Sequence, residues 1–304
     1  MEEFEKRPVW LVLLVVILSA FVGTLIGLKF GAEIGSIFYR EEGDFLTKFQ
    51  SGVIEASMKI PVLIMQGISA LCGLFLAPFF TYRAMTKKGI KSLSINRLDM
   101  GLLLFSLLIV VFFAIVDSAI IEWNKNITFP NFLNSFESWA RKNENQLEEI
   151  TKMFTTLDGL GEFAIAFLVI AVGAGVCEEF LFRGIIQTEL FRATKNIHFA
   201  IWLSAFLFSA IHVQFFGFFP RLLLGALFGY LYHWSGNLIV PMFAHLVNNG
   251  FSLFAIYLFQ HKTVSLDLEN QVAPWYLILF SLIMLSCLLF FFKRKSDELK
   301  TSVS

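Results

Sequence analysis

Charge is scarce in this chain of 304 residues: Asp, Glu, Lys and Arg make up 16% of it, and their signs cancel to a formal net charge of zero. A chain without a basic surplus lacks the electrostatic footprint of a nucleic-acid binder, so that role is set aside. Cysteine is scarce as well. Cys72, Cys177 and Cys287 all sit inside apolar runs, where packing explains them, and they suggest neither a disulfide framework nor a metal cluster. The HExxH pattern is absent, which removes one kind of zinc site. There is no tandem repeat, and no polar stretch long enough to form a separate soluble domain.

What the chain has instead is apolar bulk: 57% of it is hydrophobic, including 37 phenylalanines, far above the composition of an ordinary soluble domain. A helix needs about 20 mostly apolar residues to cross a bilayer core. Candidate runs lie at 9–30, 60–82, 101–121, 160–182, 199–216, 219–233, 238–259 and 273–292, with soft boundaries around Gly217, Pro220 and the WSGNLIVP turn. The expected fold class is all-α: a polytopic membrane helical bundle of about eight transmembrane helices. The first run follows an acidic MEEFEKR and reads as an uncleaved span. The polar segment 122–158 repeats its apolar residues at helical spacing and reads as an amphipathic interfacial helix. Three parts are expected: 1–158 with the first three spans and the interfacial segment, 159–260 as a helical core, and 261–304 with the last span and a tail.

Basic residues near helix ends set orientation. Lys6, Arg7, Arg83, Lys87, Lys88, Lys91, Arg97, Arg192, Lys195, Lys293, Arg294 and Lys295 all fall on one side of an eight-span arrangement. The opposite loops are richer in acid, with Glu41, Glu42, Asp44, Glu144, Glu148, Glu149, Asp267 and Glu269. Both termini are therefore expected in the cytoplasm, in a bacterial inner membrane. Glycines recur every fourth residue at Gly23, Gly27, Gly31 and Gly35, and again at Gly225 and Gly229, a spacing that brings helix backbones close. Packing within the chain is favoured over a dimer interface.

Three charges interrupt the fourth run, in VCEEFLFRGIIQ. Residues four apart share a helix ridge, so Glu179 and Arg183 are natural ion-pair partners, while Glu178 is turned about 100° away. Intramembrane ionisable groups face a bundle interior or a wet cavity. These three could form a packing network or serve chemistry. The next run ends in FLFSAIHVQFF, and His212 lies as many residues beyond Lys195 as Glu178 lies before it. In a hairpin turning at Lys195 the two reach one level, with Phe208 against the imidazole. The seventh run supplies MFAHLVNNGF, with His245 and Asn249 on one face and Asn248 near them. His245 matches that level if the inner ends of the fourth and fifth helices protrude, which puts the site in the inner half of the membrane.

EEFLFR, FSAIH and HLVNN thus give EExxxR, FxxxH and HxxxN in order on successive helices. Residues 160–255 resemble the CPBP intramembrane protease family, which includes type II CAAX prenyl endopeptidases and bacterial Abi and bacteriocin-immunity proteins. The resemblance implies an eight-helix bundle that hydrolyses peptide bonds inside the membrane, with 159–260 as its catalytic core. Glu178 matches the water-activating glutamate and His212 its partner. His245 and Asn249 match the residues that stabilise the oxyanion, and Glu179 and Arg183 complete the first motif.

Amide hydrolysis needs a base, an acid and oxyanion donors, and these residues can fill those roles. No cofactor is favoured, although Glu178, His212 and His245 could supply Zn²⁺ with one oxygen and two nitrogens. The expected partners are the lipid bilayer and a peptide or lipidated protein substrate, for which a cavity open to bilayer and cytoplasm would be suited. A peptide-binding or self-immunity protein that does not cleave, and a proton-coupled transporter, remain the alternatives.

Overall fold

The computed structural model describes residues 7–39, 41, 45–51, 55–89, 93, 98–263 and 272–301; the charges expected at Lys6, Glu42, Asp44, Lys91, Arg97, Asp267 and Glu269 lie outside these. Helices form at all eight apolar runs. They are α1 (Val9–Ser36), α2 (Ala56–Thr86), α3 (Met100–Lys125), α5 (Leu160–Thr194), α6 (Ile197–Ala210), α7 (Phe218–Ser235), α8 (Ile239–Gln260) and α9 (Trp275–Thr301), with α4 (Asn134–Thr155) in the polar segment. Among the described residues there is no strand. The chain is a polytopic helical membrane bundle.

Of the eight, six are long and apolar enough to cross a membrane: α1, α2, α3, α5, α8 and α9. The expected fifth span stops early. Helix α6 has 14 residues and ends at Ala210, because the chain turns there and places Val213 at φ 54°, outside the helical region. Helix α7 has 18 residues but carries Arg221 and His233. The two form a short hairpin inside the bundle.

Local chemistry fixes the ends. Asp99 caps α3 by accepting from the Leu102 N–H at 2.9 Å, and Asn196 caps α6 by accepting from the Phe199 N–H at 3.1 Å. Lys195, at φ 55°, ends α5 in the left-handed conformation, so the α5–α6 hairpin turns where the sequence places it. Helix α5 also contains two wider π turns, at Phe167–Gly173 and Phe180–Gln187, a feature common at functional sites.

The α1 glycines face α2. A Cβ on Gly27 would lie 2.7 Å from the Ser69 Cα, and one on Gly31 2.8 Å from the Met65 Cα, so the two backbones touch only because side chains are missing. That spacing serves packing within the chain. Many of the phenylalanines point outward instead: Phe21, Phe30, Phe80, Phe280 and Phe290 are exposed, as side chains that meet hydrocarbon should be.

The bundle has two chemically distinct ends. At the first, Arg192 donates to the Arg7 carbonyl at 3.5 Å, Tyr232 to the Leu93 carbonyl at 3.1 Å, and Lys300 to the His233 carbonyl at 3.4 Å, while Lys295 pairs with Asp99 at 3.5 Å. At the second, Lys59 pairs with Glu162 at 2.7 Å and with Asp158 at 3.3 Å, and Gln260 bonds to Thr155 and Leu157. Helix α4 packs across this second end. Its Asn143 donates to the Val213 carbonyl at 2.6 Å, and its Glu144 accepts from the Phe216 N–H at 3.3 Å. Asn124 at the end of α3 bonds to the Phe215 carbonyl and the Phe219 N–H, closing the loop 211–217 from the other side.

Candidate active site

The site is built around one buried carboxylate. Glu179 is fully buried and Arg183 is 1% exposed, and they pair at 2.7 Å across one turn of α5. Arg183 makes further contacts: Nη2 donates to the Gly225 carbonyl on α7 at 2.8 Å, and the guanidinium lies 4.7 Å from the Phe208 ring centre. Gly225 lets that happen, since a Cβ there would come within 3.2 Å of the Arg183 Nη2.

Glu179 has a second partner that sequence spacing does not reveal. His245 on α8 places Nδ1 2.8 Å from the same Glu179 oxygen that Arg183 holds. An ionised carboxylate only accepts, so Nδ1 carries the proton and Nε2 is the ring's other face. That nitrogen points toward Glu178, at 3.9 Å from Oε2. Phe228 stacks on the imidazole at 5.1 Å and Phe208 meets it edge-on at 6.0 Å, so the ring has little freedom to turn. Glu178 therefore faces away from the Glu179–Arg183 pair, into a cavity.

The cavity holds about 740 Å³, and Glu178, His212, His245 and Asn249 all line it. Sites that take small ligands run from about 300 to 1,000 Å³, so a short peptide segment fits by size. His212 reaches it from the turn after α6 rather than from within a span. Its Nδ1 sits 2.8 Å from the Phe208 carbonyl, and the Phe208 ring packs edge-on at 5.2 Å, leaving Nε2 toward the cavity. Asn249 donates to the Ile170 carbonyl at 2.9 Å and accepts from Asn248 at 3.1 Å, so its amide is held in one orientation.

Two lining groups escape a motif-based reading. Arg221, at the start of α7, gives one nitrogen to Gln214 at 2.7 Å while Nη1 is buried without a protein partner. Asp117 on α3 likewise has a buried oxygen without a partner. Their sequence signal was only that of ionisable residues within apolar helices.

Among the described residues, no three His, Cys, Asp or Glu side chains group as a metal ion requires. Glu178, His212 and His245 line one cavity without forming such a group.

Fold and cavity together define a polytopic helical membrane protein with a small set of charged groups buried inside the bundle. Residues 160–251, which contain all three motifs, match the family described as Type II CAAX prenyl endopeptidase Rce1-like. That match agrees with the resemblance drawn from EExxxR, FxxxH and HxxxN. Two Bacillus subtilis (strain 168) proteins are similar. "Uncharacterized protein YpbD" is 28% identical over 153 residues, covering 49% of this chain and 66% of that one. "Putative membrane peptidase YdiL" is 29% identical over 123 residues, covering 40% of this chain and 48% of that one. The matched region thus spans under two thirds of each relative's length. No solved structure matches the chain.

Proposed function

We propose that this protein is an intramembrane endopeptidase that hydrolyses a peptide bond of a membrane-associated substrate, lipidated CAAX-like chains included, with water activated by Glu178. The observation that carries the reading is the gap of 3.9 Å between the Glu178 carboxylate and His245 Nε2. That distance is too long for a direct hydrogen bond and suits one water bonded to both.

Within this scheme Glu178 takes the water's proton as the oxygen attacks the peptide carbonyl. The carbonyl becomes a tetrahedral oxyanion that collapses as its C–N bond breaks, and the proton taken by Glu178 passes to the leaving nitrogen, directly or relayed through the His212 Nε2. Asn249 is a donor for the oxyanion. His245 joins it only as an imidazolium, because in the neutral ring Nε2 accepts rather than donates. Every step is proton transfer or hydrogen bonding by side chains at the cavity, and metal-independent chemistry is part of the proposal.

Glu178→Gln tests it. The amide keeps the shape and cannot take a proton, so cleavage of a membrane-embedded peptide should fall by about 10²–10⁴-fold while the purified protein elutes and melts as before. Near-normal turnover would remove Glu178 from the mechanism. A wild-type protein that binds peptides and cleaves none would favour the binding or immunity reading instead.

A further inference from the structure

We infer that Arg221 selects the substrate: its guanidinium binds a carboxylate of the peptide held in the cavity, whether the C-terminal one or an Asp or Glu side chain. That a peptide is the occupant rests on the endopeptidase reading.

An arginine taken out of water is stable where acceptors surround it. Arg183 is the satisfied case, with the Glu179 carboxylate, the Gly225 carbonyl and the Phe208 ring around one guanidinium. Arg221 is the opposite case. It stands half-buried in the cavity wall, and among the described residues its guanidinium makes a single hydrogen bond, from Nη2 to the Gln214 side chain at 2.7 Å. Nη1 is buried without a partner. Glu144 and Glu178 lie within electrostatic reach of it, yet neither forms an ion pair with it. Asp117, the other lining residue with an unpartnered buried atom, does not pair with it either. The protein supplies a cation to the cavity and no counter-ion for it.

Helix stability does not explain the placement. Arg221 lies in the first turn of α7, where the helix dipole disfavours a cation. The preceding loop makes room for it instead. A Cβ on Gly217 would come within 3.1 Å of Nη2 and 3.7 Å of Nη1, so the guanidinium lies against the backbone of the loop 211–217, with Gln214 of the same loop holding one edge. That loop also carries His212, and the Arg221 charge acts on His212 as well as on Glu178. With the cation and the histidine on one loop, an anion bound by Arg221 takes a set position relative to the groups that move protons.

A guanidinium presents its N–H groups in a planar fork that matches a carboxylate, and such charge-assisted bonds gain strength where water is scarce. Glu178, His212 and Asn249 share the cavity, so a peptide placed for their chemistry brings its own carboxylates within the same walls. Lys125 and Lys152 line the cavity too, but both are exposed, and Lys152 pairs with Glu148 at 2.8 Å. Charges in water are screened and discriminate weakly.

The test compares peptides that differ in one charge, with the full chain in phosphatidylcholine nanodiscs. The probes are an apolar peptide with a free C-terminal carboxylate, its C-terminal amide, and amides carrying Glu or Gln at each internal position in turn. Wild type should favour a carboxylate, at the C-terminus or at one internal position, over its neutral counterpart by about 10–100-fold in kcat/KM, mostly through KM. Arg221→Gln should bring that ratio to about one. Arg221→Lys should keep part of it, and Lys125→Gln all of it. A purely structural Arg221 would instead lower cleavage of acid and neutral peptides alike, and that result overturns the inference, as does a preference that survives Arg221→Gln or is absent from wild type. If Arg221→Gln does not fold, Arg221→Lys and Gln214→Ala carry the comparison; an unchanged ratio in both overturns the inference. Binding of the same peptides, labelled with fluorescein, to the Glu178→Gln protein separates selection from catalysis. A preference for the carboxylate that disappears when Arg221→Gln is added supports the subsite, whereas equal binding of acid and amide, or no binding, overturns it. If wild type cleaves none of the peptides while the binding preference depends on Arg221, the anion subsite stands and the endopeptidase reading fails.

Discussion

Glu179 and His245 share a hydrogen bond of 2.8 Å although 66 residues separate them in the chain. Because Arg183 holds the same oxygen at 2.7 Å, the first motif reaches the third through a single carboxylate. Glu179 is thus more than the partner of an arginine: it fixes which nitrogen of His245 is presented to Glu178.

Replacing that carboxylate by an amide tests the link. Glu179→Gln should lower kcat by about 10–100-fold, the usual cost of losing a group that orients a functional histidine, with KM little changed. Thermal stability in detergent should fall too, since Arg183 loses its counter-ion. Steady-state kinetics with unchanged kcat would confine Glu179 to the ion pair.

Arg183→Ala is expected to do different damage. Breaking one side of a buried ion pair costs about 3–5 kcal/mol, and here the Gly225 carbonyl also loses its donor. The yield of monodisperse protein should drop together with activity. Full stability with lost activity would assign Arg183 a direct part in the chemistry.

Much of this was legible before the fold was known, for identifiable reasons. Apolar runs mark helices because a bilayer leaves the backbone no other partner, and all eight formed. The four-residue spacing gave the Glu179–Arg183 pair and the glycine seam of α1, since both depend only on helix geometry. The Glu179–His245 bond was not legible, because it depends on how α8 rotates against α5, and no spacing within one helix encodes that. The early end of α6 was hidden by the uninterrupted apolarity of 199–216, which continues through a turn. Arg221, beside Pro220, belongs to none of the three motifs, and only the hairpin places it in the cavity wall.

The loop that carries His212 gives another prediction. Val213 is β-branched and has φ 54°, a costly conformation that Asn143 helps to hold through the Val213 carbonyl. Val213→Gly removes the side-chain strain and should keep or raise the melting temperature. Asn143→Ala leaves the strain and removes a tether, so it should lower both melting temperature and kcat, though Asn143 is not among the residues that line the cavity. Equal kinetics for wild type and Asn143→Ala would mean that the loop is held without α4.

The last prediction separates proton transfer from metal catalysis. Nδ1 of each histidine is already engaged, His212 with the Phe208 carbonyl and His245 with Glu179, so each has one nitrogen left for the cavity. If those nitrogens move protons, prolonged chelation should leave cleavage intact and purified protein should hold no stoichiometric zinc, although each histidine is needed. If they bind a metal, removing it should abolish hydrolysis and adding it back should restore it. Asn249 is the internal control, since an amide is a poor zinc ligand and a good donor to an oxyanion. One of its amide hydrogens is used by the Ile170 carbonyl, which leaves the second for the substrate. Asn249→Ala should therefore cut kcat by about 10²–10³ and change KM little. A chelator-sensitive enzyme that tolerates Asn249→Ala would overturn the proton-transfer mechanism and leave the protease reading intact.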